Sequence, residues 1–229
     1  MFRFPLIATL LLAACGSSEP PPDWPEGSYC VLREGSCPRA HNGDFVQGII
    51  AIDTDDEGAD ISAADGAGSS TPGGVGTLAR LQLCCGDFGP SAVDFPADSF
   101  ALPAGGTQFE PTCPGDFAEG EVFIDAEDEA VIGEDADTHL EGQSGGASLT
   151  DAGNLSLLTC ESTPGLPGDL MPEGHYCVFG GDGGSCPAGM DEGIFVTDDE
   201  DSGNIDMLTG EVGGITQADS TTTFPFCCQ

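Results

Sequence analysis

The sequence predicts an all-β protein built from three tandem, small, antiparallel, disulfide-bonded units. Glycine (35 residues) and proline (17 residues) are abundant, which favours short strands and frequent turns over long helices. Apolar residues fall in short runs bounded by Gly, Pro and acidic residues, which is typical of strands. The segment PEGSYCVLREGSCP at 25–38 recurs as PEGHYCVFGGDGGSCP at 172–187. Such a repeat indicates copies of one structural unit, either as separate beads or packed into one pseudo-symmetric body.

A degenerate third copy, PAGGTQFEPTCP, lies at 103–114. Further along, DFVQGIIAIDTDDE (44–57) aligns without gaps to DFAEGEVFIDAEDE (116–129), and DEGIFVTDDE (191–200) is a shorter version. Each copy closes on cysteine, in LQLCC, LSLLTC and FPFCC. We therefore predict β repeats of about four strands each, at 25–86, 103–161 and 172–229, with linkers at 87–102 and 162–171.

The chain is strongly acidic. It has 40 Asp and Glu residues against 4 Arg and no Lys, giving a formal net charge of −36. Such a surface repels phosphate backbones, so nucleic acid is excluded as a partner, whereas basic or divalent partners are favoured. Schiff-base and lysine-base chemistry are excluded because lysine is absent from the sequence.

The N-terminus has one Arg followed by an apolar run from Pro5 to Ala14, which is too short to span a bilayer and suits an export signal. Leu12-Ala13-Ala14-Cys15 resembles the lipobox of bacterial lipoprotein signal peptides. The resemblance implies cleavage of residues 1–14, diacylglycerol on the Cys15 sulfur and acylation of the freed amine. It also implies an exported protein, anchored to the bacterial outer membrane or cell surface through lipid. Residues 15–24 then form a Pro-rich tether, in which Trp24 is expected to be partly exposed.

An exported protein meets an oxidising compartment, so we expect its cysteines to form disulfides. The alignment of the repeats indicates which cysteines pair. Repeats 1 and 3 hold four cysteines each, and repeat 2 holds two, with Gln108 and Thr159 in place of the others. The alignment predicts five bridges: Cys30–Cys84, Cys37–Cys85, Cys113–Cys160, Cys177–Cys227 and Cys186–Cys228. A one-residue slip in the alignment would exchange partners within a repeat. Cys15 is the eleventh cysteine and remains for the lipid.

Each repeat carries an acidic cluster after its central strand, and oxygen ligands of this kind suit Ca²⁺. The candidate ligands are Asp53, Asp55, Glu57, Asp125, Glu127, Asp128, Asp198, Asp199 and Glu200. The position where an EF-hand has its bidentate Glu is Ala64, so an EF-hand is not indicated. We interpret these clusters as solvated β-turns that maintain solubility, with no cofactor, and keep weak Ca²⁺ binding as the alternative.

No catalytic motif is apparent. GxSxG, HExxH and phosphate-loop patterns do not occur, and His41, His139 and His175 fall at unrelated places in the repeat. We therefore predict a non-catalytic binding or structural role for an envelope-anchored lipoprotein with an unknown protein or envelope partner. The alternatives are a Ca²⁺-dependent adhesion module that uses the acidic turns and an envelope hydrolase that uses a carboxylate pair.

Overall fold

The computed structural model describes residues 20–33, 36–53, 61–62, 74–75, 78–107, 110–124, 138–149, 154–162, 171–198, 206–218 and 221–229. This part of the chain is all-β, as predicted, with five disulfides and one 3-10 turn at Asp182–Gly184. Repeat 1 forms β1 (Gly27–Leu32), β2 (Phe45–Asp53), β3 (Ile61–Ser62), β4 (Gly74–Val75) and β5 (Leu78–Phe88). Repeat 2 forms β6 (Phe100–Pro103), β7 (Gly105–Thr107), β8 (Glu110–Thr112), β9 (Ala118–Ile124), β10 (His139–Gly142), β11 (Ala147–Leu149) and β12 (Leu155–Glu161). Repeat 3 forms β13 (Cys177–Gly180), β14 (Asp191–Asp198), β15 (Met207–Gly210), β16 (Thr216–Ala218) and β17 (Thr221–Cys228).

The three repeats share one internal arrangement. In each, the closing strand lies between the first and second strands: β5 between β1 and β2, β12 between β6 and β9, and β17 between β13 and β14. All of these pairs are antiparallel. The closing strands alternate between buried and half-buried residues near their start, so one face lies on the core.

Each repeat also gives one strand to a neighbour. Strand β10 of repeat 2 pairs with β2 of repeat 1, β15 of repeat 3 pairs with β9 of repeat 2, and β3 of repeat 1 pairs with β14 of repeat 3. Gly48 and Gly120 lie at equivalent positions where the incoming strand ends, and a Cβ there would collide with the main-chain oxygens of Gln143 and Glu211 respectively. This cyclic exchange makes the three repeats one pseudo-symmetric body.

The first strands of the repeats meet one another and fix which residues are equivalent. Leu32 of β1 pairs with Cys177 of β13, and Phe179 of β13 pairs with Ala101 of β6. A bridge between Tyr29 and Ala104 closes the set. Leu32 lies two positions after Cys30, and Phe179 lies two positions after Cys177. The Tyr29–Ala104 bridge has the matching register, in which Cys30 would face the residue two positions after Ala101. Cys30, Ala101 and Cys177, which we call the reference residues, are therefore equivalent.

This equivalence corrects the sequence alignment of repeat 2. The repeat starts are DWPEGSYC (23–30), DFPADSFA (94–101) and MPEGHYC (171–177), so β6 begins inside the segment that sequence analysis assigns to a linker at 87–102. The β7–β8 hairpin lengthens the path from β6 to Cys113, which misaligned the cysteine-based comparison. Cys160 is equivalent to the first cysteine of each closing pair, and Glu161 to the second.

The disulfides are Cys30–Cys85, Cys37–Cys84, Cys113–Cys160, Cys177–Cys228 and Cys186–Cys227. The predicted Cys113–Cys160 bridge is present, but the predicted partners in repeats 1 and 3 are exchanged. The reason is register: Cys30 lies directly opposite Cys85, with Cα atoms 3.9 Å apart. Adjacent residues of a strand point to opposite faces, so Cys84 turns away from Cys30 and meets Cys37.

The core has two parts. One consists of aliphatic and aromatic residues between the sheets of the three repeats, including Ile50, Val122 and Phe195. The other, which we call the aromatic end, contains Trp24, Tyr29, Phe88, Phe100 and Tyr176, together with the half-buried rings of Phe45, Phe95 and Phe117. Trp24 is 0% exposed, so the expectation of an exposed tether aromatic is wrong. The folded body therefore includes the end of the predicted tether.

Candidate functional site

The aromatic end is built from equivalent residues of the three repeats. Trp24, Phe95 and Met171 open the repeats, each directly before a proline. Tyr29, Phe100 and Tyr176 occupy the position before the reference residue, and Phe45, Phe117 and Met190 follow the Cys-Pro turns. The rings of Phe95 and Phe117 lie 4.7 Å apart at 65°, and those of Trp24 and Phe45 lie 4.7 Å apart at 84°. Both pairs have the edge-to-face geometry that aromatic rings favour.

In repeat 1 the turn between Cys37 and Phe45 covers Trp24 and hydrogen-bonds to it. The turn from Cys37 to Phe45 is longer than the equivalent turn Cys113–Phe117, and its additional residues carry Asn42 over Trp24. Asn42 Oδ1 accepts the Trp24 main-chain N–H (2.9 Å), while Asn42 Nδ2 donates to the main-chain oxygens of Trp24 (2.8 Å) and Gly89 (3.0 Å). Trp24 Nε1 donates to the Arg39 oxygen at 3.1 Å. The Tyr29 hydroxyl donates to the Pro25 oxygen at 3.1 Å.

In repeat 2 the same place is open. The short Cys113–Phe117 turn has no counterpart of Asn42, and Phe95 stays half-buried where Trp24 is fully buried. Among the residues that the structure describes, the main-chain N–H and C=O of Phe95 have no hydrogen-bond partner. Phe100 replaces the tyrosine of the other repeats, so the Pro96 carbonyl also lacks the hydroxyl that Pro25 and Pro172 receive.

The opening is a cleft of about 590 Å³ between repeats 1 and 2, which we call the repeat-2 cleft. Phe95, Pro96 and Phe117 form an apolar side, and the Cys113–Cys160 disulfide fixes the turn behind it. The carboxylates that line the cleft are Glu26, Asp94 and Asp116, all on exposed residues. A concave surface that combines aromatic rings with a few charged groups is the usual form of a ligand site.

The places in repeats 1 and 3 that correspond to the repeat-2 cleft are bordered by different residues. Near repeat 1, a cleft of about 770 Å³ is bordered by Arg39 and His175 and by the chain's own residues 20–22, and the Pro22 oxygen accepts the His41 N–H at 3.0 Å. Near repeat 3, Asp98 Oδ2 accepts the Ala188 N–H at 3.0 Å. Asp98 stands where repeats 1 and 3 have Gly27 and Gly174, so only at this position does a carboxylate bond the neighbouring turn within the described residues.

Three buried acidic groups have a raised pKa, and all three form hydrogen bonds that stabilise the fold. Burial raises the pKa of Tyr29 and of Tyr176, which keeps both hydroxyls protonated as donors to proline carbonyls. Burial also raises the pKa of Glu161, opposed by its hydrogen bonds with Gly213 and Ser99. None of these groups lines the repeat-2 cleft.

The side chains of the sequence-predicted metal ligands lie outside the described residues. Asp53 and Asp198 end strands β2 and β14, but their side chains lie outside the described residues, as do the other candidate ligands and Cys15. Within the described ranges, no group of three or more His, Cys, Asp or Glu side chains is arranged to hold a metal ion. No helix of the described chain is long and apolar enough to cross a membrane.

Sequence reasoning missed the residues that make the cleft. Phe95, Pro96, Asp94 and Phe117 were not singled out, since the segment 87–102 was interpreted as a connector. A signal was present: DWPEGSY and DFPADSF share an acid, an aromatic residue and a proline at the same spacing. The absence of cysteine at position 101 concealed it.

One family model matches the chain: ApeC, the C-terminal domain of apextrin, over residues 95–229. No curated protein and no solved structure is significantly similar to it. The match begins at Phe95, the residue equivalent to Trp24, and so spans repeats 2 and 3 in full. Repeat 1 precedes the match and yet completes the same body by exchanging strands with both other repeats.

The match overturns the lipoprotein interpretation of the N-terminus. ApeC domains are found in eukaryotic proteins, whereas a lipobox is a bacterial processing signal, so the prediction of a lipobox at Leu12–Cys15 is wrong. The lipid on Cys15 and the outer-membrane anchor are withdrawn with it. The disulfide-bonded fold and the family instead indicate an extracellular protein.

The matched range covers more than half of the chain and coincides with two structural repeats. It also contains the aromatic side of the open cleft, Phe95, Pro96 and Phe117. The chain belongs to the family defined by ApeC, the C-terminal domain of apextrin.

Proposed function

We propose that the protein is a non-catalytic extracellular binding protein and that the repeat-2 cleft holds its ligand. One observation carries the proposal: repeat 2 lacks both devices that close the equivalent place in repeat 1, the Asn42 side chain and the Tyr29 hydroxyl. An aromatic surface and three main-chain polar groups are therefore left for another molecule.

The lining favours a ligand with an apolar part and a positive charge. Phe95 and Phe117 offer apolar contact, and Glu26, Asp94 and Asp116 place negative charge around them. The formal net charge of −36 adds a long-range attraction for cations that raises the association rate at low ionic strength. Among the residues that the structure describes, no Arg or His lines this cleft.

The framework around the cleft is rigid, which suits binding. The Cys113–Cys160 disulfide holds the turn to β12, and the Ser162 hydroxyl joins the Phe100 N–H (3.0 Å) to the Asp98 oxygen (2.8 Å). A preorganised site loses less conformational entropy when its ligand binds.

The lining also argues against nucleophilic catalysis. Cys113 is in a disulfide, and Ser162, the hydroxyl-bearing residue of the lining, is engaged with main-chain groups. No histidine stands beside it as a general base within the described lining. These facts support a binding role over hydrolysis by a serine or cysteine nucleophile.

The test fills the cleft without disturbing the core. A Cβ on Gly115 would meet no atom within 4 Å, so Gly115→Trp places a large side chain at the cleft mouth. Ala188→Trp is the matched control, because Ala188 holds the equivalent position in repeat 3. Both variants and the wild type are applied to arrays of synthetic peptides and oligosaccharides.

We expect a set of array ligands that the wild type and Ala188→Trp bind and Gly115→Trp does not. Binding that Gly115→Trp leaves unchanged would overturn the assignment of the site. Mass spectrometry of the bound ligands supplies the second criterion, and turnover of a ligand would overturn the non-catalytic assignment.

A further inference from the structure

We propose that the ligand of the repeat-2 cleft is an extended basic peptide segment, which pairs its main chain with the N–H and C=O of Phe95 as an added strand. This inference rests on the proposed function and names the chemistry of the ligand. It follows from what occupies the equivalent place in repeat 1.

In repeat 1 the side chain of Asn42 occupies the place that we assign to the ligand in repeat 2. The Asn42 side chain is a primary amide, and it pairs with both the N–H and the C=O of Trp24 at 2.9 and 2.8 Å. Two residues of adjacent antiparallel strands exchange the same pair of bonds. The single Asn42 amide thus supplies the acceptor and the donor that the C=O and N–H of one partner residue supply in an antiparallel pair.

Repeat 2 presents the same groups without that partner. The N–H and C=O of Phe95 are unpaired among the described residues, and the C=O of Pro96 follows as a further acceptor. Pro96 is buried and lines the cleft, so its carbonyl needs a partner more than an exposed group does. The donor and the acceptor of Phe95 match the edge that an extended peptide extends by strand addition. The Pro96 C=O is a separate acceptor, because the carbonyls of consecutive residues in an extended chain point to opposite sides.

The side chains around this edge select for positive charge. Glu26 comes from repeat 1, while Asp94 and Asp116 flank Phe95 and Phe117 from repeat 2. An Arg side chain can place its methylene stem on a phenylalanine ring and direct its guanidinium to a carboxylate. Alternate residues of an extended peptide point the same way, so arginine at every second position would face the carboxylates together.

An acetamido sugar also carries an amide that could pair with Phe95. The negative charge of the cleft lining distinguishes this ligand from a basic peptide. A neutral oligosaccharide would gain nothing from the negative charge around the cleft, whereas a basic peptide is attracted by it. The peptide is therefore the occupant that both the main-chain groups and the charge favour.

The experiment measures binding of a blocked hexapeptide of alternating valine and arginine by titration calorimetry. Three matched probes accompany it: the same peptide with alternate main-chain nitrogens methylated, a valine–glutamate peptide, and chitotetraose. The protein variants are Gly115→Trp, the triple variant Glu26→Gln/Asp94→Asn/Asp116→Asn, and a control triple variant of equal charge, Asp87→Asn/Asp191→Asn/Glu192→Gln. Circular dichroism verifies that each variant is folded.

We expect the arginine peptide to bind the wild type and the control variant, and to bind the cleft triple variant about tenfold more weakly or less. Methylation, which removes main-chain donors, should weaken binding about tenfold. Equal affinity of the methylated peptide, or equal loss in both triple variants, would overturn strand addition by a basic peptide. Cleft-dependent binding of chitotetraose with none of the peptide would overturn this inference and leave the proposed binding function standing. The proposed function itself fails if array ligands bind Gly115→Trp as they bind the wild type.

Discussion

Ala101 lies directly opposite Glu161 in the β6–β12 pair, at the position where repeats 1 and 3 have the disulfides Cys30–Cys85 and Cys177–Cys228. In place of the covalent bond, Glu161 Oε1 accepts the Ser99 hydroxyl at 3.1 Å and Oε2 accepts the Gly213 N–H at 3.2 Å. Gly213 belongs to the loop that repeat 3 lays over repeat 2. A carboxylate thus ties two repeats together where the other repeats have an internal bridge.

The double variant Ala101→Cys/Glu161→Cys should form a sixth disulfide. The pair has the register of Cys30 and Cys85, whose Cα atoms lie 3.9 Å apart. Closing a loop of about 60 residues contributes roughly 4 kcal/mol in the chain-entropy model. From this we subtract the lost hydrogen bonds of Glu161, about 2 kcal/mol. Non-reducing mass spectrometry and thermal melts check the outcome; two titratable thiols in the folded protein would contradict the equivalence of the repeats.

Glu161 should also make stability depend on pH. Burial raises its pKa in the folded state above the unfolded value, so folding favours the protonated form. Its contribution to the free energy of unfolding is fully present below the unfolded pKa and is lost as pH rises through the folded pKa. Glu161→Gln, which cannot ionise, should therefore gain stability relative to the wild type as pH rises from 4 to 7. Paired urea titrations of the two proteins measure this difference, and a difference that stays constant over this pH range would contradict the role of Glu161.

The sequence predicts the fold class and the repeats of this protein, but it does not predict the pairing of Ala101 with Glu161. The all-β class and the existence of three repeats followed from composition and spacing, because strands and turns leave local patterns. The oxidised state of the ten paired cysteines followed from the expectation that the protein is exported. The Ala101–Glu161 pair did not, since an alignment anchored on cysteine cannot find a repeat whose cysteines are replaced.

The strand exchange between repeats and the repeat-2 cleft could not be predicted from the sequence for a different reason. Strand exchange, such as β10 onto β2, depends on how three repeats pack, and no local pattern encodes it. The repeat-2 cleft was equally hidden, because it consists of groups left without the partners that Asn42 and Tyr29 supply in repeat 1. An absence of this kind is recognised only after the equivalent residues have been superposed.

Phe100→Tyr should stabilise the protein and weaken ligand binding. The new hydroxyl would stand where Tyr29 and Tyr176 donate to Pro25 and Pro172, and would donate to the Pro96 carbonyl. One such bond to a buried acceptor contributes about 1 kcal/mol. Thermal melts measure the gain, and calorimetry with the arginine peptide measures the loss. A variant that is stabilised without any loss of peptide affinity would show that the Pro96 carbonyl takes no part in binding.

Asn42→Ala should lower stability by about 2–3 kcal/mol, because three hydrogen bonds to main-chain groups of Trp24 and Gly89 are lost together. For a domain of this size, that corresponds to a fall in Tm of very roughly 5–10 °C. Asn42→Asp, which keeps the acceptor for the Trp24 N–H and loses the two donated bonds, should fall between alanine and wild type. Equal stability of all three proteins would mean that water replaces the Asn42 amide at no cost.

The family-matched segment alone, residues 95–229, should fail to fold as a monomer. Removing repeat 1 deprives β10 of β2 and β13 of β1, and it exposes the ring of Tyr176, which packs on Trp24 with centroids 4.9 Å apart. Strand edges and aromatic surface of this kind promote association. We expect weak near-ultraviolet dichroism and no cooperative melt for 95–229, and both signals for 20–229. A cooperative, monomeric 95–229 fragment would show that two repeats suffice. The expected result would instead mean that the folding unit is the closed set of three repeats, because each repeat completes its sheet with a strand from another.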